Sequence, residues 1–202
     1  MVMSRCVFYL LRHAPTLWNK AKRIQGQWDS ELAPESLAAC ETLAPLLAGL
    51  APSRILCSDL GRARATAGIL NRSLRLPVTL EKRLREQHFG DWTGKHWRDI
   101  PAADIAAAEA AGWHFHPPGG ESRSDVRLRA EHALTDAARA NAGRNVLVIT
   151  HQGVIKAVLY HLLGRAYQPD EPPAFDPRRV QEIRYQDGAL SIGRLDLELP
   201  VP

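Results

Sequence analysis

NVLVITHQGVIKAVLYHLL, residues 145–163, decides how this chain is read. Residues 145–150 are dominated by β-branched and apolar side chains on both alternating faces. That is the pattern of a strand buried between two layers, not of one with a wet side. From Gly153 to Leu163 the apolar period lengthens to that of a helix. His151 stands at the junction. A buried strand feeding directly into a helix is the repeating unit of a parallel sheet. The unit recurs upstream. Residues 6–11 read as a buried strand that runs into Arg12 and His13. Residues 54–58 read as a second strand, 61–74 as the helix after it, and 78–80 as a third strand. Residues 34–50 read as a helix with Pro34 in its first turn and Leu37, Leu43 and Leu47 as apolar positions, kinked or shortened at Pro45. Residues 180–185 and 189–195 read as a hairpin turned at Asp187-Gly188.

These elements predict an α/β fold with a mostly parallel sheet and an antiparallel edge. The expected organisation is a single domain over residues 1–202. Residues 95–124 break the rhythm. They hold an alanine-rich helical stretch, 101–111, and the loop GWHFHPPGGES, 112–122. We read them as an insertion over one end of the sheet, where α/β proteins place their sites. The tail after Leu195 is expected to fray.

Composition limits the classes open to the chain. At 202 residues, about 70% of the unfolded surface can be buried, enough for a core without staples. Hydrophobic content of 45% and charged content of 24% argue against wholesale disorder. No apolar run reaches the roughly 18 residues of a membrane span, so no membrane association is expected. The net charge of +4 is scattered rather than blocked, so a nucleic-acid partner is not expected either. Cys6, Cys40 and Cys57 are odd in number and form no CxxC pair. They read as reduced, buried thiols and, with no signal-like start, point to the cytoplasm.

His13 and His151 both follow strands, so a parallel sheet brings them out at one edge. Arg12 neighbours the first, and a helix start follows the second, which favours an anion. Ser58 and Asp59 end another strand ahead of Arg62 and Arg64. Glu86 precedes a turn rich in Gly and Trp. Two histidines, two or more arginines and one carboxyl group suit phosphoryl transfer. Neutral imidazole can attack phosphorus, guanidinium groups hold the phosphoryl oxygens, and a carboxyl group can serve the leaving alcohol and then water. The scheme calls for no metal and no cofactor.

The motifs that carry these residues resemble those of the histidine phosphatase superfamily, in its phosphoglycerate-mutase-like branch. They are LLRHAPTLWN (10–19), RIQGQWDSELAPE (23–35), CSDLGRARATA (57–67), LREQHFGDWTG (84–94), PPGGES (117–122) and THQGV (150–154). They occur in family order. The resemblance implies a three-layer α/β/α sandwich with a lid between Glu86 and Ser124. It implies that His13 is the nucleophile, that Arg12, Arg62 and His151 complete the phosphate pocket, and that Glu86 is the proton donor. It also implies that Thr16, Asn19 and Gln25 line the substrate phosphate. Gln152, where the family has glycine, can donate to a phosphate oxygen or crowd it. Ala14 and Pro15 also depart from the pattern. Alanine at 14 is strained if that backbone needs positive φ.

The expected function is metal-independent hydrolysis of small phosphomonoesters through a phosphohistidine. The alternatives are a phosphoglycerate mutase, a pathway-specific phosphatase such as one for α-ribazole phosphate, and a phosphate-binding module without turnover. The expected partner is a small phosphorylated metabolite, with homodimerisation left open. His114 and His116 read as loop residues rather than metal ligands. Trp18, Trp28, Trp92 and Trp97 read as packing elements, and Asp104 and Glu109 as solvent-facing.

Overall fold

The computed structural model describes residues 5–198. One six-stranded sheet runs through it in the order β3-β2-β4-β1-β5-β6. The strands are β1 (Cys6–Arg12), β2 (Arg54–Cys57), β3 (Val78–Leu80), β4 (Asn145–Thr150), β5 (Gln181–Gln186) and β6 (Ala189–Ile192). Strands β1 to β4 are parallel, while β5 runs antiparallel to β1 and β6 antiparallel to β5. The hairpin turns where expected. Asp187 and Gly188 both have positive φ, at 52° and 91°, the conformation a two-residue type I′ turn needs.

The period of two in the strands sorts the core into two layers. Phe8, Leu10, Val146 and Val148 face α5 (Arg123–Ala140) and α6 (Gln152–Leu162). Tyr9, Leu11, Leu147 and Ile149 face α2 (Ser36–Ala48) and α3 (Gly61–Leu74). The result is the three-layer α/β/α sandwich expected from the motifs. Among the described residues, no helix is long and apolar enough to cross a membrane. All three cysteines are buried and free.

Three readings need correction. Helix α5 has no counterpart in the sequence reading. Its buried stripe is Val126, Ala130, Ala133, Leu134 and Ala138, mostly alanine, so it lacks the large apolar residues that announce a core helix. The tail does not fray directly after Leu195. Leu197 is buried and its N–H donates to the Val180 carbonyl at 2.9 Å, closing a bridge beyond the end of β6. The remainder of that expectation, residues 199–202, lies outside the described residues. Finally, α4 (Ala102–Ala110) leaves Asp104 in solvent but turns Glu109 into a cavity.

The insertion is a packed body. Ile24, Trp92, Ile100 and Phe115 form a third apolar cluster, and Trp92 meets Phe115 edge-on at 6.0 Å between centroids. Gly90, with φ of 46°, lies against the backbone of Gly119 and Gly120. A side chain there would overlap main chain, which cannot give way, so glycine is required on both counts.

Candidate active site

Register brings the site together. Arg12 lies beside Thr150, and Cys57 lies beside Ile149. The next residues, His13, His151 and Ser58, therefore emerge at one carboxyl edge of the sheet. They border or lie beneath a cavity of about 420 Å³ whose lining includes Arg12, His13, Arg62, Glu86 and Gln152.

His13 is 5% exposed. Its Nδ1 lies 2.8 Å from the Ala14 carbonyl, which can only accept, so Nδ1 carries the proton. Nε2 is then the lone-pair atom, and it accepts from Arg62 Nε at 3.2 Å. Burial, reinforced by Arg62 and Arg12, pulls the imidazole pKa down to about 3. The ring is neutral at physiological pH.

Arg62 is buried and fixed on three further acceptors. Its Nη2 donates to the Gly26 carbonyl at 2.7 Å, and its Nη1 donates to the Trp28 carbonyl at 2.8 Å and to Asp29 at 3.2 Å. Asp29 does a second job. Helix α3 has no cap of its own, and Asp29 accepts from the Gly61 and Arg62 N–H groups at 2.7 and 3.2 Å. A residue distant in sequence thus caps the helix and holds its arginine. Arg12, by contrast, makes no side-chain hydrogen bond or ion pair among the described residues. Burial lowers its pKa, opposed by Glu86. It is a partly buried cation with vacant donors.

His151 is fully buried behind the cavity wall, its ring centroid 5.2 Å from that of His13. Its Nε2 meets Ser58 Oγ at 2.8 Å, and its Nδ1 has no partner. Burial, then Arg62 and His13, hold its pKa well below the usual histidine value. Ser58 and Asp29 were missed as site residues. Ser58 was visible as a polar residue ending a buried strand and Asp29 as part of the motif 23–35, but neither was given a role.

Glu86 bridges the insertion and α6. Its Oε1 accepts from the Gln87 N–H at 2.9 Å and its Oε2 from the Gly153 N–H at 3.2 Å. Its backbone is pinned as well: Arg129 Nη2 donates to the Glu86 carbonyl at 3.1 Å while pairing with Glu121. A Cβ on Gly153 would collide with Glu86 Oε1. The carboxylate is the free end of a side chain and can swing away, so Gly153→Ala is expected to spare the fold and displace Glu86. A displacement of about 1 Å at such a group can cost about 100-fold in rate. Steady-state kinetics alongside thermal melting check this; a normal kcat would contradict the placement.

The substrate-binding set divides. Asn19, Gln25 and Gln152 line the cavity. Gln25 Oε1 is buried without a partner. Thr16 does not line it. Fully buried, it caps α1 (Leu17–Lys20) in a reciprocal capping box with Asn19, and its role there is turn formation. Ala14 is not among the residues with positive φ, so alanine carries no strain. His114 and His116 are exposed in the insertion. Among the described residues no group of three or more His, Cys, Asp or Glu is placed to hold a metal ion.

The two buried neutral histidines also affect folding. Their folded pKa values lie below the unfolded value near 6.5, so the unfolded chain binds more protons below that pH. The contribution of these two groups is therefore full above about pH 6.5 and falls with acid, for His13 down to about pH 3, by up to about 1.4 kcal/mol per pH unit for each histidine. Denaturant melts of wild type and His13→Asn between pH 6 and 4.5 check this. The variant is expected to show the shallower dependence.

Comparison with known proteins agrees with the geometry. The model of the histidine phosphatase superfamily (branch 1) matches residues 8–197. The chain is 38% identical over 166 residues to a glucosyl-3-phosphoglycerate phosphatase of Mycolicibacterium vanbaalenii, covering 77% of this chain and 73% of that protein. It is 31% identical to the adenosylcobalamin/alpha-ribazole phosphatase of Escherichia coli, covering 77% and 78% respectively. Among solved structures it superposes on Bacillus stearothermophilus YhfR with a TM-score of 0.84 at 29% identity, covering 93% of this chain and 95% of that one. This chain belongs to the histidine phosphatase superfamily, branch 1, and is a phosphoric monoester hydrolase.

Proposed function

We propose that the protein is a metal-independent phosphatase of small phosphorylated metabolites that works through a phosphohistidine on His13. One observation carries the reading: a neutral imidazole, proton fixed on Nδ1, presents Nε2 beside Arg62 and close to His151, in a cavity that also holds an unpaired Arg12 and Glu86. In the first step Nε2 gives up the Arg62 Nε–H, which turns to a phosphoryl oxygen, and attacks phosphorus as the P–O bond to the alcohol breaks. Glu86, as the acid, gives its proton to the departing oxygen. The imidazolium so formed keeps its Nδ1–H on the Ala14 carbonyl. Arg12, Arg62 and the partnerless Nδ1 of His151 take up charge on the three phosphoryl oxygens. In the second step Glu86, now a carboxylate, takes a proton from water. The water oxygen bonds to phosphorus, the N–P bond breaks, and phosphate leaves. Asn19, Gln25 and Gln152 contact the phosphoryl group or its leaving alcohol. The reading treats the chain as one catalytic unit with residues 86–124 as its cover. It places the enzyme in the cytoplasm, which the three free, buried thiols support.

The test is phosphate release from a panel of small phosphomonoesters, with chelator present, in parallel with an assay for interconversion of 2- and 3-phosphoglycerate. Release unaffected by chelator is expected. Release that needs added metal, or interconversion without release, would overturn the proposal.

A further inference from the structure

A neutral imidazole carries one N–H, and the partner of one ring nitrogen decides which of the two holds it. His13 meets a carbonyl at Nδ1, which fixes the proton there and leaves Nε2 free to attack. His151 also needs its proton on Nδ1, but for the opposite purpose. Nδ1 is its buried, partnerless nitrogen, and on the phosphatase reading it takes up charge from a phosphoryl oxygen. With the proton on Nε2 instead, Nδ1 would turn a lone pair toward an anion. Burial, then Arg62 and His13, keep the ring neutral, so there is one proton to place. The ring has no other duty: His151 stands at the N-cap of α6 yet caps nothing with its side chain.

Nε2 of His151 meets no carbonyl. It meets the Ser58 hydroxyl, at 2.8 Å. A hydroxyl can donate or accept, so its other contacts decide. Ser58 is fully buried at the end of β2, and its own N–H donates to the Ile149 carbonyl at 2.9 Å. That bond holds it beside β4, the strand that delivers His151. Its Oγ accepts from the Leu60 N–H at 3.4 Å. Among the described residues, Oγ has no other hydrogen-bond partner than this N–H and the ring. The hydroxyl proton therefore has one acceptor in reach, His151 Nε2. If Nε2–H donated to Oγ instead, the hydroxyl proton would be stranded in a buried place and Nδ1 would still lack a partner. If the hydroxyl donates, only Nδ1–H is left over, and a bound phosphoryl group supplies its acceptor. A buried donor left unmade carries its full desolvation cost, so the second arrangement wins. A carbonyl or carboxylate in place of the hydroxyl could only accept, and would select the wrong tautomer.

We propose that Ser58 is a positioning residue: its hydroxyl donates to Nε2 and so holds His151 as the Nδ1–H tautomer, the form that can hydrogen-bond a phosphoryl oxygen. What Nδ1–H then does rests on the phosphatase reading above. The tautomer itself rests on the hydrogen bonds alone.

Proton–nitrogen correlation NMR of the histidine rings near neutral pH reads the tautomer directly, with His13→Ala and His151→Asn to assign the two rings. Wild type is expected to carry the His151 proton on Nδ1. Ser58→Ala is expected to lose that preference and populate Nε2–H, and Ser58→Thr, which keeps the hydroxyl, to retain it. In kinetics, Ser58→Ala is expected to lower kcat by about 10-fold or more, approaching the 100-fold scale of one lost donor at a developing charge. Vanadate, an analogue of the transition state, is expected to bind more weakly by a similar factor, with a smaller change in KM. Ser58→Thr is expected to restore most of both. The wild-type and Ser58→Ala measurements decide the matter even where the added methyl of Ser58→Thr does not fit. A wild-type His151 protonated on Nε2 would overturn the proposal. So would a Ser58→Ala enzyme that melts earlier but keeps both the Nδ1–H tautomer and the wild-type kcat. The expected tautomers in both proteins, with no phosphate released from any ester by wild type, would fault the phosphatase reading and leave the role of Ser58 standing.

Discussion

Replacing His13 with alanine is expected to lower kcat/KM by about 10,000-fold or more on every substrate the enzyme turns over. Loss of a nucleophile costs far more than loss of one stabilising contact, because the covalent route itself disappears. The substitution leaves the rest of the pocket standing. Arg62 keeps its bonds to Gly26, Trp28 and Asp29. A melt at neutral pH will therefore separate chemistry from folding. Retention of more than about 1% of wild-type activity would mean that another group attacks phosphorus, since water alone does not supply that rate.

Glu86→Gln is expected to show a loss that depends on the leaving group. Glutamine keeps an oxygen for the N–H of Gln87 or Gly153, so the side chain can stay in place. It cannot give or take the proton. Phosphate esters of ordinary alcohols leave as strongly basic oxygens and need that proton, so their kcat is expected to drop by about 100- to 10,000-fold. A nitrophenolate leaves without help, so phosphorylation with the nitrophenyl ester is expected to suffer least. Dephosphorylation still needs Glu86 as a base, so phosphoenzyme should accumulate with that ester. Uniform loss on all esters, with no accumulation, would reduce Glu86 to a positioning role.

The sheet was legible because its strands are read by local pattern. The apolar run 145–150 and its twin at 6–11 could lie nowhere but the centre, and they carry His151 and His13 to neighbouring ends. The site followed for the same reason, since Arg12, His13, Arg62 and His151 all sit within a few residues of a strand end. Helix α5 was not legible, because alanine fills its buried face. Nor was the role of Asp29, which caps α3 from 32 residues upstream of Gly61. Glu109 was misread for a related reason. On an alanine-rich helix every polar residue looks solvent-facing. Which one turns inward depends on how α4 packs against the rest of the insertion, Trp92, Ile100 and Phe115, and that is tertiary information.

The central claim is the covalent intermediate, and the most direct test is to trap it. Wild-type enzyme would be mixed with a phosphate-labelled nitrophenyl ester, quenched in alkali within milliseconds, digested and mapped. The account predicts label on the peptide that carries His13, stable to alkali and lost in acid, at a burst rate no slower than turnover. Phosphate release at the normal rate with no label on that peptide, or with label on another residue, would contradict it.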